Sequence, residues 1–280
     1  MLMKRKFIPG SEWLYVKIYT GIKTADIILE EAIIPLLQQL QEESLINKWF
    51  FIRYNDPRIH IRLRFELSDL SHFNKVLSLV NDYLEGYRDS GEISEFIIDT
   101  YQREIERYGD VTMEDAEFLF WKSSESILNE FLHFDDEEKI MVTLFYIDKV
   151  LEYLGISLYE RLDWIKESYH AFKQEFNVDK KMNYQLDKKY RAFIIKYIDF
   201  IESVDYIPFR IAILNNIHES KEALRHIKNQ SSSLQSFFSS VFHMHINRMF
   251  VSNQRLFEMI IYDYLFRYYK SLIFKSSKMV

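Results

Sequence analysis

Residues 50–66 read FFIRYNDPRIHIRLRFE. Two runs rich in aromatic and β-branched residues flank Asn55-Asp56-Pro57, a turn signal, so the stretch predicts a β-hairpin. The second run alternates strictly. His60, Arg62 and Arg64 fall on one face of the strand, and Ile61, Leu63 and Phe65 on the other. Two arginines and a histidine thus share a face in a chain whose net charge is -6. Such a row faces open water or an anionic partner. Solvated surface is the commoner explanation of an alternating charged strand, and both readings stand on the pattern alone.

Working outward, WLYVKIYT at 13–20 alternates as a strand, and Thr24 to about Glu42 has helical spacing with Pro35 as a kink. Residues 47–54 and 58–66 form the paired strands. Ser71 to about Tyr87 reads as a helix with Ser71 as N-cap. Gly86 and Gly91 bracket a break, and SEFIIDTYQRE at 94–104 reads as a further strand. The order β-α-β-β-α-β is that of the ferredoxin-like, or split βαβ, arrangement. After Gly109 the texture changes to helical periodicity near 112–132, 136–154, 157–176, 184–203, 208–228, 232–250 and 253–274. Thr112 with Asp115 suggests an N-terminal capping pair. The expected fold class is therefore α+β. A ferredoxin-like half with an antiparallel sheet spans 1–110, an all-helical half spans 111–280 and packs on it, and together they form one domain.

Composition narrows the function classes. A chain of 280 residues with 48% hydrophobic and 16% aromatic residues can bury a large core, and 6 Gly and 4 Pro leave little room for linkers. The absence of cysteine removes disulfides, thiolate catalysis and cysteine-ligated metal centres. No apolar run is long enough for a membrane span, and the basic start MLMKRKFIPG is followed by no signal-peptide core, so a cytoplasmic protein is expected. The acidic balance argues against a broad nucleic-acid surface.

Alternation also predicts what else shares the cationic face: Tyr15, Lys17 and Tyr19 from the first strand, and Tyr101 and Arg103 from the last. A one-residue slip in any strand would invert that strand's contribution. A second cluster is HMHINR at 243–248, where His243 and Asn247 are i, i+4 neighbours on a helix. Its His-x-His spacing puts the imidazoles on different sides, so no metal site is expected. The tract TYQREIERYGD at 100–110 reads equally well as surface salt bridges.

FFIRYNDPRIHIRLRF, then YQREIERYG, then HMHINR, together with WLYVKIYTG and MEDAEFLFWKSSESIL, resemble the elimination domain of class I lanthipeptide dehydratases. The same domain occurs alone in thiopeptide-type bacteriocin biosynthesis proteins. The likeness runs from near Trp13 to the C-terminus. It implies a lyase without cofactor or metal, which removes glutamate from glutamylated Ser and Thr of a precursor peptide, leaving dehydroalanine or dehydrobutyrine. It implies catalytic roles for His243, Arg62, Arg64 and Arg103. Tyr15, Lys17, Tyr19, His60, Tyr101 and Asn247 become candidates for substrate binding. The expected partners are the ribosomally made precursor and a separate tRNA-dependent glutamylation protein that replaces the domain preceding this one in full-length dehydratases. Full-length members are homodimers, and the oligomeric state here stays open. Two alternatives are a formal [4+2] cycloaddition between dehydroalanines, as in pyridine synthases, and a non-catalytic peptide-binding subunit.

Overall fold

The computed structural model describes residues 3–277. Short strand β1 (Lys6–Phe7) precedes β2 (Trp13–Thr20), α1 (Ile22–Ile28), a π-helical turn at Leu29–Ile33, and α2 (Ile34–Glu42). Then come β3 (Ile46–Asn55), β4 (Ile59–Leu67), α3 (Phe73–Asp89), β5 (Ile93–Ile98) and β6 (Tyr101–Gln102). The four longer strands form one antiparallel sheet in the order β3-β4-β2-β5, the split βαβ topology. Helices follow: α4 (Ile105–Tyr108), α5 (Met113–Ser126) continued by a π turn at Ile127–Phe131, α6 (Asp136–Tyr153), α7 (Leu158–Glu175), α8 (Lys180–Glu202), α9 (Ile207–Glu219), α10 (Lys221–Gln230), α11 (Leu234–Met249) and α12 (Gln254–Ser276). The chain is thus α+β with a helical C-terminal half.

The register carries the alternation through. Tyr15 lies opposite Arg64, Lys17 opposite Arg62 and Tyr19 opposite His60. Phe50, Ile52 and Tyr54 of β3 lie opposite Arg64, Arg62 and His60 from the other side. The reverse face carries Leu14, Val16, Ile18, Ile61, Leu63 and Phe65, all buried, and α1 to α3 pack against the sheet. Burying that row fixes the register, because a one-residue slip would turn every one of these side chains to the other face.

Strand β3 is an edge of the sheet, and such an edge leaves backbone groups unpaired. Here α5 and α11 cover it. Phe51 donates its N–H to Ser124 Oγ at 3.2 Å, and its carbonyl accepts from Arg248 Nε at 2.7 Å. Arg53 Nε in turn donates to the Arg248 carbonyl at 2.9 Å. These bonds tie α5 and α11 to the sheet.

Contacts accordingly divide the chain elsewhere than at the change of texture near residue 110. One compact unit runs to Leu132 and takes in Glu222–Ser252, and the other comprises His133–Lys221 and the segment from Asn253 onward. The second unit is built from α6 to α9 and α12. Its core is aromatic, with Phe193, Tyr197, Phe200, Tyr262 and Tyr269 all buried.

Several local expectations need correction. The strand predicted over 94–104 stops at Ile98, and Tyr101–Gln102 pairs instead with Lys6–Phe7 in a separate two-stranded sheet. The Asp99 carboxylate accepts the Thr100 N–H at 2.6 Å, which takes that donor out of the ladder. Asp69, rather than Ser71, caps the turn before α3, accepting from the Ser71 N–H at 2.8 Å. Thr112 precedes α5 without capping it, because its hydroxyl bonds the Tyr108 carbonyl. The helix expected over 208–228 is two helices that divide at Ser220. Near Pro35 the helix is interrupted by the π turn at Leu29–Ile33, and the proline sits in the first turn of α2. Gly109 ends α4 with φ of +77°, a conformation that favours glycine and turns the chain into α5.

Candidate functional site

On the cationic face, Arg64 is 8% exposed. Its guanidinium lies 4.2 Å from the Tyr15 ring centroid, 5.0 Å from Tyr101 and 5.2 Å from Phe50. No carboxylate comes within salt-bridge distance of it among the described residues, and Nε and Nη1 have no hydrogen-bond partner. Burial lowers its pKa from the usual guanidinium value, and Tyr15 and Tyr101 work against that shift. Aromatic faces offset part of the cost of burying a cation, but they accept none of the in-plane N–H groups.

Arg62 is half-buried and stacks 3.5 Å from the Tyr54 ring centroid. Its Nε donates to His60 Nε2 at 2.9 Å. His60 is 1% exposed, and its Nδ1 lies 2.8 Å from the Arg58 carbonyl oxygen. That pair of contacts corresponds to a neutral imidazole protonated on Nδ1. Desolvation lowers the His60 pKa, with Arg62 and Lys17 adding to it. Tyr19 stacks on His60 at 4.6 Å, and Arg58 lies over Tyr19 at 4.8 Å. Lys17 pairs with Asp99 at 2.5 Å; desolvation pulls its pKa down, but the Asp99 contact outweighs it and the net shift is upward.

Arg103 sits off this face. It is 4% exposed and bidentate on Glu117, with Nε and Nη2 each 2.7 Å from a carboxylate oxygen. Tyr101 donates its hydroxyl to the same carboxylate at 2.7 Å, and burial and Glu117 together hold the Tyr101 pKa far above its usual value. Lys48 approaches Glu117 at 3.9 Å and pairs with Glu66 at 3.3 Å. Glu117 is fully buried. Sequence reading passed over it because MEDAEF reads as an ordinary helix opening. The only hint was an acidic residue four positions past Met113, on the apolar side of the helix.

The HMHINR segment lies on α11. Asn247 Nδ2 and His243 Nε2 are 3.0 Å apart on its half-buried side. His245 is turned inward, with Nδ1 2.9 Å from Ser123 Oγ, and burial, reinforced by Arg248, pushes its pKa down to about 3. Met244, next to His243, lines a cleft of about 30 Å³ shared with Arg64, Phe50, Ile52, Tyr101 and Glu104. A space of that size admits ordered water but no larger ligand. The structure therefore brings Tyr15, Lys17, Tyr19, His60, Arg62, Arg64 and the Tyr101 ring to one face, and brings α11 to its margin at Met244. It draws Arg103 away to Glu117.

Among the described residues no three His, Asp or Glu side chains converge as a metal site, and no helix is long and apolar enough to cross a membrane.

Comparison with known proteins gives these features a context. The nisin biosynthesis protein NisB of Lactococcus lactis subsp. lactis is 28% identical over 295 residues, covering 96% of this chain and 26% of NisB. The tRNA-dependent lantibiotic dehydratase MibB from Microbispora sp. 107891 superposes with a TM-score of 0.69 at 16% identity, over 95% of this chain and 29% of MibB. The pyridine synthase TbtD from thiomuracin biosynthesis superposes with a TM-score of 0.60 at 12% identity, over 93% of this chain and 99% of TbtD. At such identities the superpositions show a shared fold. The chain spans about a quarter of the length of the curated relatives it matches. The family described as "Lantibiotic biosynthesis dehydratase C-term" matches residues 13–269, and the chain belongs to that family.

Proposed function

We propose that this chain is a glutamate-elimination lyase of a class I lanthipeptide-type dehydratase, acting on glutamylated Ser and Thr of a precursor peptide. Glutamylation is assigned to tRNA-dependent machinery outside these 280 residues. In the reaction a base takes the Cα proton, its electron pair forms the Cα=Cβ bond, and the Cβ–O bond breaks. Glutamate leaves as its carboxylate. Negative charge develops on the adjacent carbonyl oxygen and on the leaving group, so the site must supply fixed positive charge shielded from water.

The observation that carries this reading is Arg64, a buried guanidinium with aromatic walls and no carboxylate within salt-bridge distance among the described residues, Glu104 lining the cleft farther off. A carboxylate in its plane would satisfy the N–H groups that the rings leave unmet. Arg62, whose Nε is held by His60, presents its remaining N–H groups beside it. His243 is assigned to moving the proton, with Asn247 orienting its ring. The cleft at Arg64 must widen to admit a glutamyl group, a change expected on peptide binding.

The test is incubation with glutamylated precursor peptide, followed by mass spectrometry. Wild-type protein should release glutamate, and His243→Ala should leave the glutamylated peptide accumulating, with a loss of about 10²–10⁴ in rate. Intact glutamylated peptide after incubation with active-concentration wild-type protein would sink the reading. Formal cycloaddition is the second reading, supported by the fold shared with TbtD. It has no glutamate to bind, so the anion-ready Arg64 weighs against it. Conversion of a fully dehydrated peptide without glutamate release would select it instead.

A further inference from the structure

Glu117 is the most deeply buried carboxylate on the sheet side of the molecule, and its partners Arg103 and Tyr101 are two of the residues the sequence put forward for the site. It accepts three short contacts: Arg103 Nε and Nη2, and the Tyr101 hydroxyl, each at 2.7 Å. One oxygen, Oε1, takes both the Tyr101 hydroxyl and Arg103 Nε. Tyr101 sits on a strand of only two residues, and its ring rests against the Arg64 guanidinium at 5.0 Å. A two-residue strand fixes a side chain weakly by itself. The ring is held at one end by Phe7, stacked at 5.8 Å, and Trp13 at 5.1 Å, and at the other by its hydroxyl on Glu117.

From this geometry we infer that Glu117 is a positioning residue for the anion site: together with Arg103 it anchors Tyr101, and Tyr101 sets the Arg64 guanidinium. The inference deepens the proposed function and rests on it. It moves Arg103 from direct contact with glutamate to second place behind Tyr101. The reason is chemical. A guanidinium bidentate on a buried carboxylate has its forked edge occupied, and releasing it would leave Glu117 buried as an uncompensated charge. Arg64 has no such commitment.

A merely structural ion pair would behave differently from an anchor, and an apolar replacement separates the two. Buried ion pairs can often be exchanged for apolar residues of similar size without loss of stability. The double variant Arg103→Met/Glu117→Met removes both charges and the acceptor of the Tyr101 hydroxyl. Thermal unfolding reports on stability, and steady-state elimination of glutamylated peptide separates KM from kcat. The expected result is a protein that unfolds near the wild-type temperature with KM raised about tenfold, the effect of losing one hydrogen bond to a charged group. A well-folded double variant with wild-type KM would overturn the inference.

Should the double variant not fold, Tyr101→Phe asks the same question. It keeps the ring and deletes only the hydroxyl contact, so KM should still rise severalfold, and an unchanged KM overturns the inference. Titration with free glutamate distinguishes this failure from failure of the proposed function. Wild-type protein that binds glutamate but does not eliminate it breaks the function reading alone, and the variants are then compared by their glutamate affinity. Equal affinity in Tyr101→Phe and wild type overturns the positioning role. Wild-type protein that neither eliminates nor binds glutamate overturns both.

Discussion

In the helical unit the half-buried Arg161 and Arg267 lie against carboxylates. Arg267 bonds Asp263 at 2.6 Å and Asp187 at 2.9 Å, while Arg161 bonds Asp148 at 2.9 Å. Asp263 itself is 1% exposed and also receives Lys173 at 3.2 Å. On the sheet, Arg64 is buried to a similar degree but lies among rings. The difference separates two uses of one residue type. A guanidinium whose counter-ion is built into the fold contributes to architecture, and its removal is felt in stability. A guanidinium whose counter-ion is left out costs stability, and its removal should be felt in binding. Arg103 has a built-in counter-ion like the first kind, yet lies close to the second and is inferred to act on it through Tyr101.

The sharpest way to break this comparison is to remove a carboxylate from the helical network. Asp263→Ala leaves Arg267 and Lys173 without a partner they now share, and should destabilise the protein by about 3–5 kcal/mol. Denaturant unfolding measures this. A loss below about 1 kcal/mol would place Asp263 with ordinary surface pairs.

The matching change on the sheet is Arg64→Met. Because the guanidinium has no internal partner, its removal should leave stability unchanged or raise it. Glutamate elimination should fall by about 10²–10³, the usual effect of deleting one charge-stabilising donor. A variant that is strongly destabilised yet fully active per folded molecule would erase the distinction between the two regions.

Acid provides a third probe. His245 is buried with its pKa held down to about 3, below the unfolded value of 6.5. Between those values the unfolded chain binds a proton that the folded chain refuses, so stability is intact above pH 6.5 and falls as pH drops toward about 3. The loss should reach about 2 kcal/mol by pH 5. His245→Gln, uncharged at every pH, should lack that portion of the slope in urea unfolding. Identical slopes in both proteins would show that His245 carries a proton in the fold.

Much of this contrast could be read from residues alone, for a physical reason. The run IHIRLRF has a period of two with one face buried, so only one register is affordable, and Tyr15, Lys17 and Tyr19 had to meet Arg64, Arg62 and His60. The pairing of strands in a split βαβ order followed from the alternation of element types. What stayed hidden depends on contacts far apart in sequence. Glu117 looks like any exposed glutamate until Arg103 and Tyr101 arrive on it. The return of α11 to the sheet after the intervening helices leaves no local mark, so the unit boundary at Leu132 was not visible near residue 110. The end of the strand at Ile98 turns on one side-chain bond from Asp99. Why Tyr101 and Arg103 share a hairpin-free segment yet serve one carboxylate became clear only from that break.

The smallest effect concerns His60, which accepts from Arg62. Its Nε2 must keep a lone pair to accept from Arg62 Nε, while Nδ1 keeps its proton on the Arg58 carbonyl. The groups around it are Arg58, Arg62, Lys17 and Asp56, with Tyr19 and Tyr54 against the ring. Desolvation, Arg62 and Lys17 all disfavour a second proton, so the pKa lies below the ordinary histidine value. Arg62 therefore stays anchored at neutral pH and loses its acceptor only under distinctly acidic conditions. His60→Gln offers an acceptor that does not titrate, and should retain activity within about threefold with a flatter acid limb. His60→Ala should raise KM about tenfold at neutral pH, the effect of one lost hydrogen bond to a charged group. If both variants behave alike at neutral pH, the acceptor is irrelevant. Arg62 would then be held by its stack on Tyr54, and the unpaired cation of the sheet would reduce to Arg64 alone.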